Sequence, residues 1–118
     1  MIRRKRNKHG VHIDALGKLE RTADGIVFDS AGECVRYHEL KLLQRAGEIS
    51  DLEVHPAYPI VWPGTDSRIC VVELDFRYTA NGVKRVEDFK GASTALSNLK
   101  RKLVEAAHGI KVELVRAK

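Results

Sequence analysis

The dipeptide Asn81-Gly82 constrains the fold of this chain more than any other feature, because it separates two runs with the alternating pattern of β-strands. Asn-Gly is the strongest short-range signal for a two-residue hairpin turn, since both residues tolerate the positive φ angles that such a turn requires. The run before it, Arg68 to Tyr78, places its apolar side chains on one face: Val72, Leu74, Phe76 and Tyr78. The run after it, Val83 to Lys90, is expected to return antiparallel.

Counting outward from this turn predicts which residues face each other across the hairpin. The predicted pairs are Ala80 with Val83, Arg77 with Val86, Asp75 with Asp88, and Glu73 with Lys90. Paired residues share a face, with Cβ atoms about 4.5 to 5.5 Å apart, so two aspartates in this position repel each other. A divalent cation such as Mg²⁺ offsets that repulsion. Lys90, two residues beyond Asp88, projects from the same face and completes a candidate catalytic triad with Asp75 and Asp88.

Two alternatives use the same residues. The acidic pair also fits a solvated sheet face of mixed charge, in which water screens the repulsion. That face would consist of Glu73, Asp75, Arg77, Asp88 and Lys90. A slip of one residue would exchange Asp88 for Glu87. In the register that the turn favours, Glu87 lies on the opposite face beside Phe89, where we expect a structural or DNA-facing role.

The N-terminal half predicts a short hairpin followed by a helix. Ala23-Asp24-Gly25 is a hairpin signal between residues 17–22 and 26–28. Ser30 and Glu33 have the spacing of a capping box, and the helix is expected to run to Ala46 before Gly47 stops it. One side of this helix carries Ala31, Val35, Leu42 and Ala46, and a nearly opposite stripe carries Glu33, Tyr37, Leu40 and Gln44. We therefore expect the helix to be contacted from two directions.

The C-terminal half predicts a strand, the central hairpin, a helix and a last strand. Residues 54–62 alternate, but Pro56 and Pro59 each remove a ladder donor and indicate an irregular edge strand. The helix over Ala95–His108 has an apolar stripe of Leu96, Leu99, Leu103, Ala106 and Ala107. A strand over 110–115 then completes the passage that a parallel crossover needs. The sequence predicts an α/β fold with a mixed β-sheet flanked by helices, as a single domain over residues 17–118.

The positive charge of the chain is concentrated in a basic N-terminal arm over residues 1–16. The formal net charge is +5, and residues 3 to 8 supply five positive charges: Arg3, Arg4, Lys5, Arg6 and Lys8. Such an arm releases counterions on meeting a phosphate backbone and favours nucleic acid, although a solvated terminus that aids solubility has the same composition. No apolar run approaches the roughly 20 residues that span a bilayer, and no apolar leader follows Met1. We expect a cytoplasmic protein with no membrane partner.

The order Glu33, Asp75 and Asp88-Phe89-Lys90 resembles the signature of the PD-(D/E)XK nucleases. Further segments resemble a family of small phage proteins assigned to that superfamily: residues 25–30, 40–49, 75–76 and 87–91. The likeness covers roughly residues 24 to 105. Leu74 stands where the proline of the signature would be, and Asp88 is a permitted but shorter carboxylate. The position of His55 often looks like glutamine in related sequences, which leaves its role open.

This resemblance implies a restriction-endonuclease-like core and hydrolysis of DNA phosphodiester bonds that depends on Mg²⁺, or on Mn²⁺. It implies Asp75, Asp88 and Phe89 as metal ligands, Lys90 in the active site, and Glu33 completing the site from the helix. It also suggests kinship with Holliday-junction resolvases, and hence branched DNA as the substrate and a homodimer, because symmetric incision of a junction needs two sites. A phage-encoded protein would act in the host cytoplasm.

Several roles stay open on the sequence alone. Glu33 could be only a helix cap, since a carboxylate is favoured at a helix N-terminus in any case. Arg77 could bind the scissile strand or pair with Glu73, and Lys100 could touch DNA phosphates or simply extend along the apolar stripe. Two other functions compete with a junction resolvase. One is a nicking or restriction-like nuclease acting on duplex or flapped DNA, and the other is a non-catalytic module that binds nucleic acid.

Overall fold

The computed structural model describes residues 17–90 and 94–116. The predicted basic arm, with its five cationic side chains, lies outside these residues. The chain divides into two compact units, residues 1–39 and 40–118, which are described in turn. Within the described ranges, no helix combines the length and the apolar character that crossing a lipid bilayer requires.

The first unit contains the predicted Asp-Gly hairpin. Strands β1 (Thr22–Ala23) and β2 (Ile26–Val27) pair antiparallel, and the turn between them has positive φ angles at Asp24 and Gly25. The prediction is confirmed for the turn but is wrong for residues 17–20, which are helical. Leucine, lysine and glutamate in that segment are good helix formers, and it lacks the β-branched residues that favour a strand.

Helix α1 (Ala31–Arg45) begins and ends close to where the sequence predicts. The Ser30 hydroxyl accepts the backbone N–H of Glu33 at 3.1 Å, which satisfies one of the free donors of the first turn. At the other end Gly47 adopts φ +82°, and the N–H of Glu48 donates to the carbonyl of Leu43 at 2.9 Å. Such a left-handed residue is the usual way to end a helix, and glycine adopts it without steric cost.

The buried side of α1 is the mixed stripe rather than the apolar one. Glu33, Tyr37 and Leu40 are buried, whereas Val35 and Leu42 are 58% and 60% exposed. The predicted contact from two directions is therefore wrong for the described residues. Within the first unit, part of the reason is Tyr37. Its ring lies 5.2 Å from that of Phe28, and its hydroxyl donates to Asp24 at 2.5 Å.

The second unit is built from strands and one further helix. The elements are β3 (Ser50–Val54), β4 (Ala57–Val61), β5 (Arg68–Glu73), β6 (Phe76–Ala80), β7 (Val83–Lys90), α2 (Ala95–His108) and β8 (Val112–Arg116). Four strands form one sheet in the order β3-β6-β7-β8, and β4 and β5 form a separate antiparallel pair. Strand β8 is parallel to β7, and the other pairs in the large sheet are antiparallel. The predicted α/β fold with a mixed sheet is confirmed.

The predicted strand from Arg68 to Tyr78 is interrupted at Leu74 and Asp75. The N–H of Leu74 donates to the carbonyl of Pro56 at 3.1 Å, and the N–H of His55 donates to the carbonyl of Asp75 at 2.9 Å. His55 itself has φ +56°, a left-handed conformation that reverses the local direction of a non-glycine chain at some steric cost. The chain thus leaves one sheet and enters the other at this point.

This interruption changes one predicted pairing and divides one predicted strand. Glu73 ends β5 and lies opposite Ala57, so the predicted pairing of Glu73 with Lys90 is wrong. The predicted edge strand over 54–62 is likewise divided, because β3 ends at Val54 and β4 begins at Ala57.

The core of the second unit brings the β4–β5 hairpin and α2 onto the large sheet. Its buried side chains are Tyr58, Ile60, Val72, Leu74, Val86, Val104 and Val112. The four apolar residues predicted on one face are all buried, but they do not share that face. Phe76 lies opposite Glu87, so strand alternation places Phe76 and Tyr78 on the other side of the sheet from Val86.

The predicted apolar stripe of α2 is mostly exposed. Leu96 and Leu99 are 60% and 54% exposed, and Val104 is the fully buried residue of this helix. The helix is held at its two ends by polar contacts instead. Lys90 Nζ donates to the Ser97 hydroxyl at 2.6 Å, and a ring nitrogen of His108 lies 2.9 Å from the carbonyl of Pro59.

Candidate active site

The hairpin of β6 and β7 has the register that the sequence predicts. Asn81 and Gly82 have φ angles of +53° and +76°, and Ala80 lies opposite Val83. The last ladder pair away from the turn is Phe76 with Glu87, so the next position outward sets Asp75 against Asp88. The Asp75 carboxylate also accepts the backbone N–H of Phe89 at 2.6 Å, which fixes its orientation beside β7. The predicted meeting of the two aspartates is confirmed.

The Asp88 carboxyl group is half-buried, and its environment disfavours ionisation. Burial raises the pKa of Asp88 to about 7, with additional contributions from the charge of Asp75 and from a hydrogen bond between the two carboxyl groups. Lys90 and Arg101 act in the opposite direction and lower this pKa. Asp88 therefore retains its proton up to about neutral pH, at a place where a cation would relieve the same repulsion.

Lys90 lies on the same face of β7 as Asp88, as predicted. Its side chain is only 5% exposed, and its ammonium group donates to the hydroxyl of Ser97 in the first turn of α2. Ser97 also takes part in the capping box of this helix, in which the Thr94 hydroxyl accepts the N–H of Ser97 at 3.1 Å. The start of α2 and the ammonium group are consequently fixed to each other, and the lysine cannot swing freely into solvent.

Arg101 is a site residue that the sequence reasoning missed. Its charge lowers the pKa of Asp88, and its Nη2 donates to Asn98 at 3.2 Å. Its Nη1 is buried and has no hydrogen-bond partner among the described residues. A buried guanidinium N–H without an acceptor lowers the stability of the fold, and a phosphate oxygen is a favoured acceptor for it. The only sequence signal was its position four residues after Ser97, on the same side of α2.

His55 is a second residue to which the sequence assigned no role. One of its ring nitrogens and a carboxylate oxygen of Asp75 lie within 4.8 Å of each other. The backbone hydrogen bond from His55 to Asp75 joins the same two residues. Left-handed conformations of non-glycine residues tend to occur at functional sites, and His55 is one. The histidine thus lies beside the acidic pair, in reach of anything that Asp75 binds.

The oxygen donors present suit a hard divalent cation. Asp75 and Asp88 supply carboxylates, and Phe89 could contribute only its backbone carbonyl, since its N–H donates to Asp75. Carboxylate, carbonyl and water oxygens are the ligands that Mg²⁺ and Mn²⁺ prefer, and an adjacent imidazole is more compatible with Mn²⁺ than with Mg²⁺.

Arg77 lies on the face that the sequence predicts, but its partner is different. It pairs with Glu53, at 2.8 Å from Nε to Oε1, because β3 rather than β5 lies beside β6. Its Nη1 also donates to the Tyr58 hydroxyl at 3.1 Å. The predicted ion pair with Glu73 is wrong. Lys100 is exposed on α2, and its predicted contact with DNA stays a prediction.

Glu87 and Glu33 are both buried carboxyl groups, but the structure tests the predicted role of Glu87 only. Glu87 accepts a hydrogen bond from the hydroxyl of Tyr78 inside the protein, which confirms a structural role and excludes a DNA-facing one. Glu33 belongs to the first unit, where it is only 6% exposed. A carboxylate that served only the helix dipole would not need burial, which costs free energy. Its predicted catalytic role stays a prediction.

Residues 17–117 match the model of a family described as protein of unknown function (DUF1064). No curated protein and no solved structure matches the chain.

Proposed function

The chain belongs to the DUF1064 family, and from the geometry of its acidic site we propose that it is a metal-dependent DNA endonuclease. The observation that carries the proposal is the meeting of Asp75 and Asp88 across the hairpin, with the ammonium group of Lys90 on the same face. The charge of Asp75 and burial disfavour ionisation of Asp88, and a bound cation would remove that free-energy cost. This arrangement, in the order expected from the PD-(D/E)XK resemblance, supports a nuclease over a mixed-charge surface.

The proposed reaction adds water across a phosphodiester bond. The water oxygen forms a bond to phosphorus, the bond from phosphorus to one sugar oxygen breaks, and that oxygen leaves with a proton. A Mg²⁺ or Mn²⁺ ion held by Asp75, Asp88 and the carbonyl of Phe89 would lower the pKa of its bound water and screen the phosphate charge.

Three further residues have roles that follow from their charges, positions or backbone contacts. Lys90, held by Ser97, places a fixed positive charge beside the carboxylates, where negative charge accumulates on the phosphate during attack. Arg101 offers its unpartnered Nη1 to a phosphate oxygen. His55 orients Asp75 through the backbone hydrogen bond.

The substrate and the assembly belong to the proposal as well. The resemblance favours branched DNA, cut by a homodimer whose two sites act on opposite strands, with Glu33 completing each site. The cationic residues of the arm and Lys100 would bind backbone phosphates without reading sequence.

A cleavage panel tests the proposed function. Labelled four-way junctions, flaps and matched duplexes are incubated with the protein in Mg²⁺, in Mn²⁺ and in excess chelator. We expect cleavage of the junction in either metal, none in chelator, and a loss of at least a hundredfold in Asp75→Asn, Asp88→Asn and Lys90→Gln. Asp66→Asn, in the exposed β4–β5 turn, serves as the matched control.

Each result of the cleavage panel supports or contradicts a specific function. Cleavage that persists in the Asp75→Asn and Lys90→Gln proteins would show that the site is assigned wrongly. Equal cutting of duplexes and junctions would favour a nicking or restriction-like enzyme. If no substrate is cut in any metal while DNA is still bound, the protein is a binding module and the proposal fails.

A further inference from the structure

A second site lies at the opposite end of α2 from the acidic pair. It is a cavity of about 690 Å³ between the turn end of the β6–β7 hairpin and the connection from α2 to β8. Its lining includes four cationic side chains, Arg77, Lys84, Arg85 and Lys111, against the single carboxylate of Glu113. Volumes of this size are typical of ligand sites, and this lining favours an anion.

The wall of this cavity is held in place by several contacts. The Tyr58 hydroxyl accepts a hydrogen bond from Arg77, whose guanidinium carbon lies 5.4 Å from the centre of the tyrosine ring. The ring of His108 meets that of Tyr58 edge-on at 5.1 Å, and its imidazole contacts the carbonyl of Pro59. Gly109 ends α2 with φ +64°, which turns the chain along the cavity. The shape is therefore formed before any ligand arrives.

The four cations divide into two paired arginines and two available lysines. Arg77 is paired with Glu53, and Arg85 with Glu113 at 3.2 Å. Lys84 and Lys111 are exposed, and within the described part of the chain neither forms a salt bridge. The arginines build the wall. Lys84 lies near enough to Glu53 for its charge to lower the pKa of that carboxyl group, but neither lysine is held in a salt bridge, so both can meet an anion that comes from solvent.

The position of the cavity relative to the acidic pair bears on which anion it could bind. Lys84 precedes Asp88 by four residues on β7 and projects from the same face, so their backbones lie about 13 Å apart. One turn of duplex DNA is about 34 Å long. A duplex with one phosphate at the acidic pair therefore presents further phosphates within the reach of the cavity.

We propose that this cavity binds backbone phosphates of the DNA, a few nucleotides from the bond that is cut, through Lys84 and Lys111. The identity of the ligand rests on the proposed function, whereas the anion site itself rests on the cavity alone. Contacts of this kind fix the position of the DNA and carry no sequence preference.

The test measures binding rather than cleavage. The full-length protein is titrated against a fluorescein-labelled 20-base-pair duplex in chelator, by fluorescence anisotropy over a range of salt concentrations. Lys84→Gln and Lys111→Gln each remove one phosphate contact. Each is expected to reduce the slope of log K against log salt by about 0.9, and the affinity at 0.1 M salt by about eightfold. In the Lys84→Gln/Lys111→Gln double variant, the two reductions in slope should add, as should the two losses of binding free energy.

The matched control is Lys102→Gln. Lys102 is an exposed lysine of α2, two residues before the buried Val104, and so points away from the sheet. The Lys102→Gln substitution removes the same charge as the other two, and we expect it to reduce the slope of log K against log salt much less. Equal losses in all three single variants would mean general attraction only and would overturn the site.

Failure of this inference can be told from failure of the proposed function. If the lysine variants bind like the parent while the parent cuts DNA, the cavity is not a phosphate site and the nuclease stands. If the parent cuts nothing but the variants lose the expected slope, the cavity stands and the nuclease fails. Parent protein that shows no salt-dependent binding to the duplex overturns the inference.

Discussion

Replacing Asp88 by asparagine should make the metal-free protein more stable at alkaline pH, although it removes the site. In the folded protein the pKa of Asp88 is raised to about 7 from an ordinary value of 3.8. Between these values the folded state holds a proton that the unfolded state has lost, so stability falls as the pH rises from about 4 to about 7. Asparagine resembles the protonated form, and its amide can still donate to Asp75.

The size of the effect follows from the pKa difference. A shift of about three pH units corresponds to about 4 kcal/mol at 1.36 kcal/mol per unit. Because the carboxyl group is only half-buried, solvent screening reduces this to about 2 kcal/mol. Relative to the parent, Asp88→Asn should therefore gain about 2 kcal/mol in unfolding free energy between pH 4 and pH 8. Urea denaturation in chelator at both pH values measures this difference.

Addition of metal should make the parent protein more stable than Asp88→Asn. At pH 8 a cation present at a hundred times its dissociation constant stabilises the parent by about 2.7 kcal/mol, and Asp88→Asn should gain almost nothing. Asp66→Asn, an exposed control, should follow the parent in both conditions. If Asp88→Asn and the parent unfold at the same urea concentration at pH 8 in chelator, the two carboxyl groups are not in contact and the reasoning fails.

Three further substitutions separate catalysis from stability. Arg101→Gln should lower the cleavage rate about a hundredfold, because its guanidinium stabilises the reacting phosphate. It should weaken DNA binding in chelator by only about eightfold at 0.1 M salt, as the loss of one phosphate contact does, and a parent-like rate would refute this. Glu33→Gln should also lower the rate about a hundredfold while the melting temperature shifts little, and a parent-like rate would leave Glu33 as a helix cap. Tyr78→Phe should lose about 1 to 3 kcal/mol of unfolding free energy, because the hydrogen bond to Glu87 is lost, and the folded protein should still cleave DNA. Lost cleavage at unchanged stability would contradict the structural role of this pair.

The hairpin and its register could be predicted because local chemistry determines them. Asn81 and Gly82 accept positive φ angles, and a two-residue turn then leaves no choice in which side chains face each other. The boundaries of α1 follow in the same way from Ser30 at one end and Gly47 at the other. These predictions depend on residues close together in the chain, where the cause is visible in the sequence.

The missed features depend on residues distant in the chain. Nothing in the run from Arg68 to Tyr78 signals the break at Leu74 and Asp75, because its cause lies in the segment at His55 and Pro56. The packing face of α2 was missed because the prediction counted only leucines and alanines. The two ends of the helix are instead held by polar contacts of Ser97 and His108. Apolar periodicity cannot reveal a helix that packs partly through polar contacts.

The same break explains why the site could be only partly predicted. An uninterrupted strand through Asp75 would use its backbone in the regular ladder and leave its carboxylate free to move. Here the carbonyl of Asp75 instead accepts the N–H of His55, and its carboxylate accepts the N–H of Phe89. The departure from regular structure thus orients Asp75 and brings His55 to it, at the cost of a left-handed histidine. Irregular backbone beside two repelling carboxyl groups is difficult to explain as a contribution to stability, and departures of this kind are expected at functional sites.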